Sequence, residues 1–207
     1  MPIKTFTAGE ILTAADVNTY LMRQAVITCT SGTRPTSPSA GMVIFETDTT
    51  RLMAYNGSAW AELGMLDPPR CQMMRETTQS LASGAQVAIQ WDTEVQNTHG
   101  MWSAGNPSRI TIPANGGGTY LIGGAASFDA NGSGNRQLMV VISGTTHIRQ
   151  SIPSIGSGLP TRVNISYMAR LNPGQYVEIH ARQDSGSTLN LTTDENHPAV
   201  WVCRIAP

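Results

Sequence analysis

The stretch DANGSGN, residues 129 to 135, has a spacing that metal chemistry uses. Asp129, Asn131, Ser133 and Asn135 stand at alternate positions, as the oxygen ligands of a calcium loop do. The bidentate glutamate that closes such a loop is missing and only one of the four residues is charged, so the stretch reads as a hairpin turn. His99, His147, His180 and His197 are scattered and make no HExxH pair. IGSGLP (155–160) has the wrong spacing for a nucleophile elbow and lacks a strand-to-helix setting. The acids are too sparse to nominate two carboxylates sharing a cleft, which polysaccharide hydrolysis needs. NGGG (115–118) is followed by strand-like residues, not by a helix whose N-terminus would hold phosphate. The expectation is a protein that is not an enzyme and holds no metal and no cofactor.

Aromatic residues offer a different chemistry, because a ring face stacks on a sugar. Trp91 and Trp201 fall at or in strands of an extended β region, where packing is the expected role. Trp102 lies in the irregular stretch THGMWSAGNPS and is the candidate ligand-binding residue. Arg149, Arg170 and Arg182 occupy isolated strand positions and read as paired surface or interface arginines.

The elements that must position these residues are mostly strands. The chain has 207 residues, 20 of them glycine and 12 proline, and its 13% of charged residues is about half the usual share. Such a composition suits short strands joined by turns. A net charge of -1, with Lys4 the sole lysine, excludes the cationic surface that nucleic acid demands. No apolar run is long enough to cross a membrane as a helix, and MPIKTFTAGE has no signal-peptide core. Cys29, Cys71 and Cys203 are odd in number and far apart, so they read as reduced thiols of a protein assembled in a cytoplasm.

One helix is signalled, in ILTAADVNTYLMRQA. Thr13 is the N-cap, Asp16 completes a capping box, and Leu12 with Val17 forms a hydrophobic staple. Val17, Tyr20, Leu21, Gln24 and Ala25 mark one face of about three turns, too short to stand alone in water. SGTRPTSPSAG (31–41) is an extended linker. Three strands follow at 42–46, 51–55 and 59–63, with Asn56-Gly57 signalling a two-residue hairpin turn. Met42 and Ile44 oppose Val43 and Phe45, and Leu52 and Ala54 oppose Met53 and Tyr55, so both faces are apolar. Three short strands cannot bury two faces alone, which points to a second copy as cover. After LGMLDPPR come strands at 86–91, 109–112, 119–128, 136–143, 145–152, 161–171, 176–183, 188–191 and 199–206.

Two resemblances extend this reading. FTAGEILTAADVNTYLMRQAV with GMVIFETDTTRLMAYNGSAW is similar to the N-terminal portion of bacteriophage fibre-like and minor tail proteins, over residues 6 to 62. SRITIPANGGGTYLIGGAASFDANGSGNRQLMVVISGTTH, LNPGQYVEIHARQDSGSTLNL and AVWVCRIAP resemble the complement-type globular head, a ten-stranded jelly roll shared with the tumour-necrosis-factor family. Ile110 stands where that family's signature has its first Phe, and Gln175 replaces an acid. The resemblance implies a homotrimer.

The expected fold is mainly β: a short N-terminal helix, a small β-hairpin collar and a C-terminal ten-stranded jelly-roll sandwich, trimeric. The expected organisation is an anchoring arm and helix over 1–30, linker and collar over 31–69, and head over 70–207. The expected function is that of a bacteriophage virion structural protein, a trimeric fibre- or spike-like appendage made in the host bacterial cytoplasm. Its N-terminal region would dock to other virion proteins, and its head would meet a host-surface glycan or receptor, or decorate the particle. The residues expected to anchor or trimerise are Leu12, Val17, Tyr20, Leu21, Phe45, Tyr55 and Trp60. No nucleic acid and no membrane insertion are expected. The alternative is a carbohydrate-binding adhesin module outside a virion.

Overall fold

The computed structural model describes residues 7–17, 26–156, 158–193 and 197–207. The chain divides into two compact units, Met1–Asp67 and Pro68–Pro207.

In the first unit a helical turn, α1 (Ala14–Asp16), opens with the capping box that the sequence signals. The Asp16 N–H donates to Thr13 Oγ1 at 3.1 Å, and the Thr13 N–H donates to Asp16 Oδ2 at 3.3 Å. Both donors would otherwise be orphaned at a helix start. Tyr20, Leu21 and the rest of the expected helix lie outside the described residues.

The collar is a four-stranded sheet in the order β1 (Ile27–Cys29), β2 (Val43–Glu46), β3 (Arg51–Tyr55) and β4 (Trp60–Met65). Strand β1 adds to the three strands expected and runs parallel to β2. Parallel strands need a crossover of about a dozen residues, and the Pro/Ser/Gly linker supplies one without a helix. Register puts Ile44 opposite Met53 and Glu46 opposite Arg51 on one face, with Phe45 opposite Leu52 and Val43 opposite Ala54 on the other. The linker ties itself to the first face and its loop. Arg34 pairs with the fully buried Glu46, and Ser31 donates twice to Asp48, at 2.9 and 2.6 Å. Ile44 and Met53 are buried there. The turn at Asn56 is wider than the expected two residues. Tyr55 pairs with Trp60, leaving four loop residues, and the Asn56 carboxamide accepts from Ser58 and Ala59 while Gly57 takes φ +104°.

The second unit packs a seven-stranded sheet against a five-stranded one. The first runs β6 (Gln79–Leu81), β15 (Leu189–Leu191), β10 (Gly118–Phe128), β16 (Ala199–Ala206), β5 (Arg70–Met74) and β8 (Thr93–Asn97), with β13 (Thr161–Leu171) on the other side of β10. The second runs β12 (Thr145–Pro153), β11 (Asn135–Ile142), β14 (Tyr176–Gln183) and β7 (Gln86–Ala88), with β9 (Ile110–Thr111) also on β14. Seven and five strands exceed the expected ten; β5, β6 and β8 are the strands absent from the sequence reading, and the short β6–β15 ribbon joins β10 only through Phe128 and Leu191.

Strand β10 is the axis of this sandwich, paired with β13 over its whole length. Its inward residues Tyr120, Ile122 and Phe128 meet Leu138, Val140, Val177 and Ile179 of the facing sheet in one core with Trp91. The run GGAAS is a device for close approach. A methyl group on Gly124 would press on Ile179, and one on Gly123 would overlap the Trp201 ring. Tyr120 closes the NGGG turn by donating its hydroxyl to the Gly116 carbonyl at 2.6 Å, and burial pushes that hydroxyl up to about 12.

Candidate functional site

Among the described residues each unit keeps an apolar surface open, the head in addition to an apolar hollow around Ile155, Leu159 and Pro160. In the collar it is the face away from the linker. Phe45, Leu52, Gly64, Met65 and Leu66 line a groove of about 270 Å³, and Leu66 is 80% exposed. Its polar neighbours are few because β2 and β3 place Val43, Phe45, Leu52 and Ala54 on this side. Glu46 and Arg51 point to the covered side, where Arg51 also meets Glu62 at 3.3 Å.

In the head it is the outer face of the seven-stranded sheet. Register aligns Met168, Leu121 and Cys203 in one row and Ser166, Gly123 and Trp201 in the next. The neighbours of these residues along each strand, Tyr120, Ile122, Val200 and Val202, face the core, so this row faces away from it. Met168 is 60% exposed, Ile205 54% and Leu121 41%, while Trp201 lies across Gly123 and is partly covered by that contact. These large apolar groups are exposed together.

The residues singled out in the sequence are placed as follows. Leu12 is exposed and Val17 half-buried. Tyr55 and Trp60 stand directly opposite each other with ring centroids 5.3 Å apart, on the Met53 side of the collar. Phe45 is on the other face, so the structure does not bring these three together. Trp102 packs against the head core and is half-buried. Its indole N–H donates to the Pro107 carbonyl at 3.0 Å, and Asn97 accepts from its backbone N–H at 3.1 Å. Those contacts make Trp102 a clasp for its own loop. Trp91 is buried in the core.

The loop 129–135 is filled from within. Arg136, fully buried, donates to the carbonyls of Ser133 and Asn131 at 2.9 Å each and to that of Asn135 at 3.3 Å. Three oxygens of this loop therefore already face a cation supplied by the chain, as a turn requires and an open calcium site does not. Burial lowers the Arg136 affinity for its proton, and the charge of Asp184 opposes that. Asp184 accepts from the Asn135 backbone N–H, which with its arginine neighbours Arg182 and Arg136 holds its carboxyl below the ordinary range.

The outer face of the five-stranded sheet carries a polar chain. Ser108 donates to Glu178 at 2.7 Å, Arg109 to the same oxygen at 3.4 Å, and His180 lies 3.3 Å from the other oxygen and 3.2 Å from Gln86. Burial pushes the Glu178 carboxyl up, but the hydrogen bonds from Ser108 and His180 and the charges of His180 and Arg109 outweigh it and leave it low. Serine here is bonded to the carboxylate and not to the imidazole, so the set lacks the serine–base contact that nucleophilic catalysis requires. Among the described residues no group of three metal-ligating side chains is found. No described helix is long and apolar enough to cross a membrane.

No protein-family model matches the chain, and no curated protein matches it. Solved structures do. The globular domain of the zebrafish complement 1qA protein is 14% identical, covering 66% of this chain and 96% of its own, with a TM-score of 0.47. Murine APRIL, solved at pH 5.0, is 12% identical, covering 67% of this chain and 100% of its own, with a TM-score of 0.51. In fold the head is a jelly-roll sandwich like that of murine APRIL. At such identity the likeness extends to the fold alone. Sequence reasoning did not nominate Leu121, Met168 and Ile205. Apolar residues alternating with core residues in 118–128, 161–171 and 199–206 were the available signal, and only the register of three distant segments assembles them into one face.

Proposed function

We propose that the chain is a homotrimeric structural protein of a bacteriophage virion, a fibre- or spike-like appendage that acts by binding and not by catalysis. The observation that carries this reading is the presence of an open apolar face in each unit. The collar groove around Phe45 and Leu52 and the head surface around Leu121, Met168 and Ile205 both need cover that the described chain does not supply. A threefold arrangement would bury both kinds of surface with copies of the same chain. The jelly-roll fold and the residues 6–62 that resemble phage fibre and minor tail proteins support the same reading. The N-terminal region docks to the particle, and the head is presented to the host surface or decorates the virion.

Deleting residues 1–62 tests the division of labour. The shortened protein is expected to keep a cooperative thermal transition but to be missing from purified particles, as read by antibody labelling in electron micrographs. Incorporation of the shortened protein at the normal level would overturn the anchoring role.

A further inference from the structure

The seven-stranded sheet carries a second feature on its outer face, at the end away from the apolar band. A cavity of about 300 Å³ is lined by Ala125, Ala126, Ser127, Arg162, Asn164 and His197. Register makes it: β10 and β13 set Ala125 opposite Asn164 and Ser127 opposite Arg162. On β10 Ala125 follows Gly123 by two residues, so at about 3.3 Å per residue the cavity begins roughly 7 Å from the Trp201 row, and Ser127 lies roughly 20 Å from Leu121.

The lining polar groups are unused. Among the described residues the side chains of Ser127, Arg162 and Asn164 have no hydrogen-bond or ion-pair partner, and His197 Nδ1 is buried without one. Four other arginines of the head are engaged, Arg109 with Glu178, Arg182 with Asp184, Arg136 with loop carbonyls and Arg170 with the Pro207 carbonyl, whereas Arg149 on β12 is open like Arg162 but does not line this cavity. A guanidinium left open beside a hydroxyl, a carboxamide and an imidazole, in a concave site, is a cluster of donors waiting for oxygen. The fork of Arg162 matches a carboxylate, Asn164 and Ser127 match hydroxyls, and the methyl group of Ala125 matches the C–H face of a ring, while the Ala126 methyl is turned into the core.

We propose that this cavity binds one carboxylate-bearing sugar residue, a uronic-acid-type unit, with Arg162 on the carboxylate and Asn164 and Ser127 on ring hydroxyls. That the sugar belongs to a host surface rests on the virion reading above; the site itself does not. A single ring held by one charge and a few neutral hydrogen bonds binds weakly, with a dissociation constant of about 1 mM.

The test is a titration of the full-length protein with D-glucuronate, D-glucose and inorganic phosphate, followed by backbone amide chemical shifts and by calorimetry. Glucuronate is expected to shift the amides of Ala125, Ser127 and Asn164 and to saturate. Glucose is expected to bind at least tenfold more weakly, since it lacks the carboxylate. Arg162→Gln and Asn164→Ala, both at exposed positions, are expected to lower glucuronate affinity about tenfold and about threefold, with melting temperature and oligomeric mass unchanged. Three results would overturn the proposal: no saturable shift with glucuronate, equal binding by Arg162→Gln and the parent protein, or phosphate binding as tightly as glucuronate, which would mark a bare oxyanion site. Sugar binding by a chain that never enters particles would leave this site standing and remove the virion reading, whereas the reverse result would do the opposite.

Discussion

The collar and the head solve the same problem of burying apolar strands by different means. The head folds two sheets onto each other, so Phe128, Ile122 and Ile179 are covered by the same chain. The collar has a single sheet and covers only one of its faces with a linker fixed by the Arg34–Glu46 pair and the Ser31–Asp48 bonds. A sandwich closes its core within one chain, whereas a single sheet with two apolar faces closes one and exports the other. The head therefore closes its core by itself, and under the proposed assembly the collar gains stability from a copy on its Phe45–Leu52 side.

This contrast can be broken at several points, beginning with the largest effect. Phe128→Ala removes a fully buried ring of the head core and should cost about 3–5 kcal/mol, lowering the thermal transition of the head. If the same variant melts like the parent, the head core is not where the stability resides. Arg34→Ala leaves the buried Glu46 carboxylate without its cation and should destabilise the collar by about 3 kcal/mol. Cys29, opposite Glu46 in the sheet, reports it locally: its thiol should react faster with a disulfide reagent while the buried Cys71 stays protected. Unchanged Cys29 reactivity would mean that the linker is held by something else.

Acidification separates the units less sharply but tests the head's polar contacts. The carboxyls of Asp92, Glu178 and Asp184 are all held below their ordinary range, in Asp92 because hydrogen bonds from Thr77, Glu76 and Thr93 outweigh its burial. A carboxyl lowered in the folded state contributes stability above its unfolded value and loses it as pH falls through the folded one. The melting temperature should hold from pH 7 to about 5 and drop below about pH 4, and Glu178→Gln should flatten part of that drop. A melting temperature that rises on acidification would contradict the assignment. Trp102→Phe gives the smallest effect, the loss of one hydrogen bond to Pro107 worth about 0.5–1.5 kcal/mol, with no change in glucuronate binding.

The long strands were legible because alternation persists in them: 161–171, 176–183 and 199–206 were read with the bounds they have. The short ones were not. Strand β1 is three residues between a helix signal and a Pro-rich linker, and β5, RCQMM, has no β-branched residue to mark it. The two-faced character of 42–55 was read from alternation, but which residues share a face across strands depends on register. Thus Tyr55 and Trp60 fell on the Met53 side and Phe45 on the open one. The cavity around Arg162 was illegible for a related reason. Ser127, Arg162 and Asn164 follow no spacing rule and meet because β10 and β13 pair over eleven residues, and His197 joins them from just before β16, which pairs with β10 at Ala125.

The measurement that bears most directly on the central claim is the solution mass of the intact protein by sedimentation velocity at micromolar concentration. The proposed homotrimer is expected to sediment as a particle of three times the 22.1 kDa chain. Replacing Leu52 with Asp in the collar groove should then weaken that particle. A monomer of 22.1 kDa at the same concentration would contradict the account, because both apolar faces would then be stable in water.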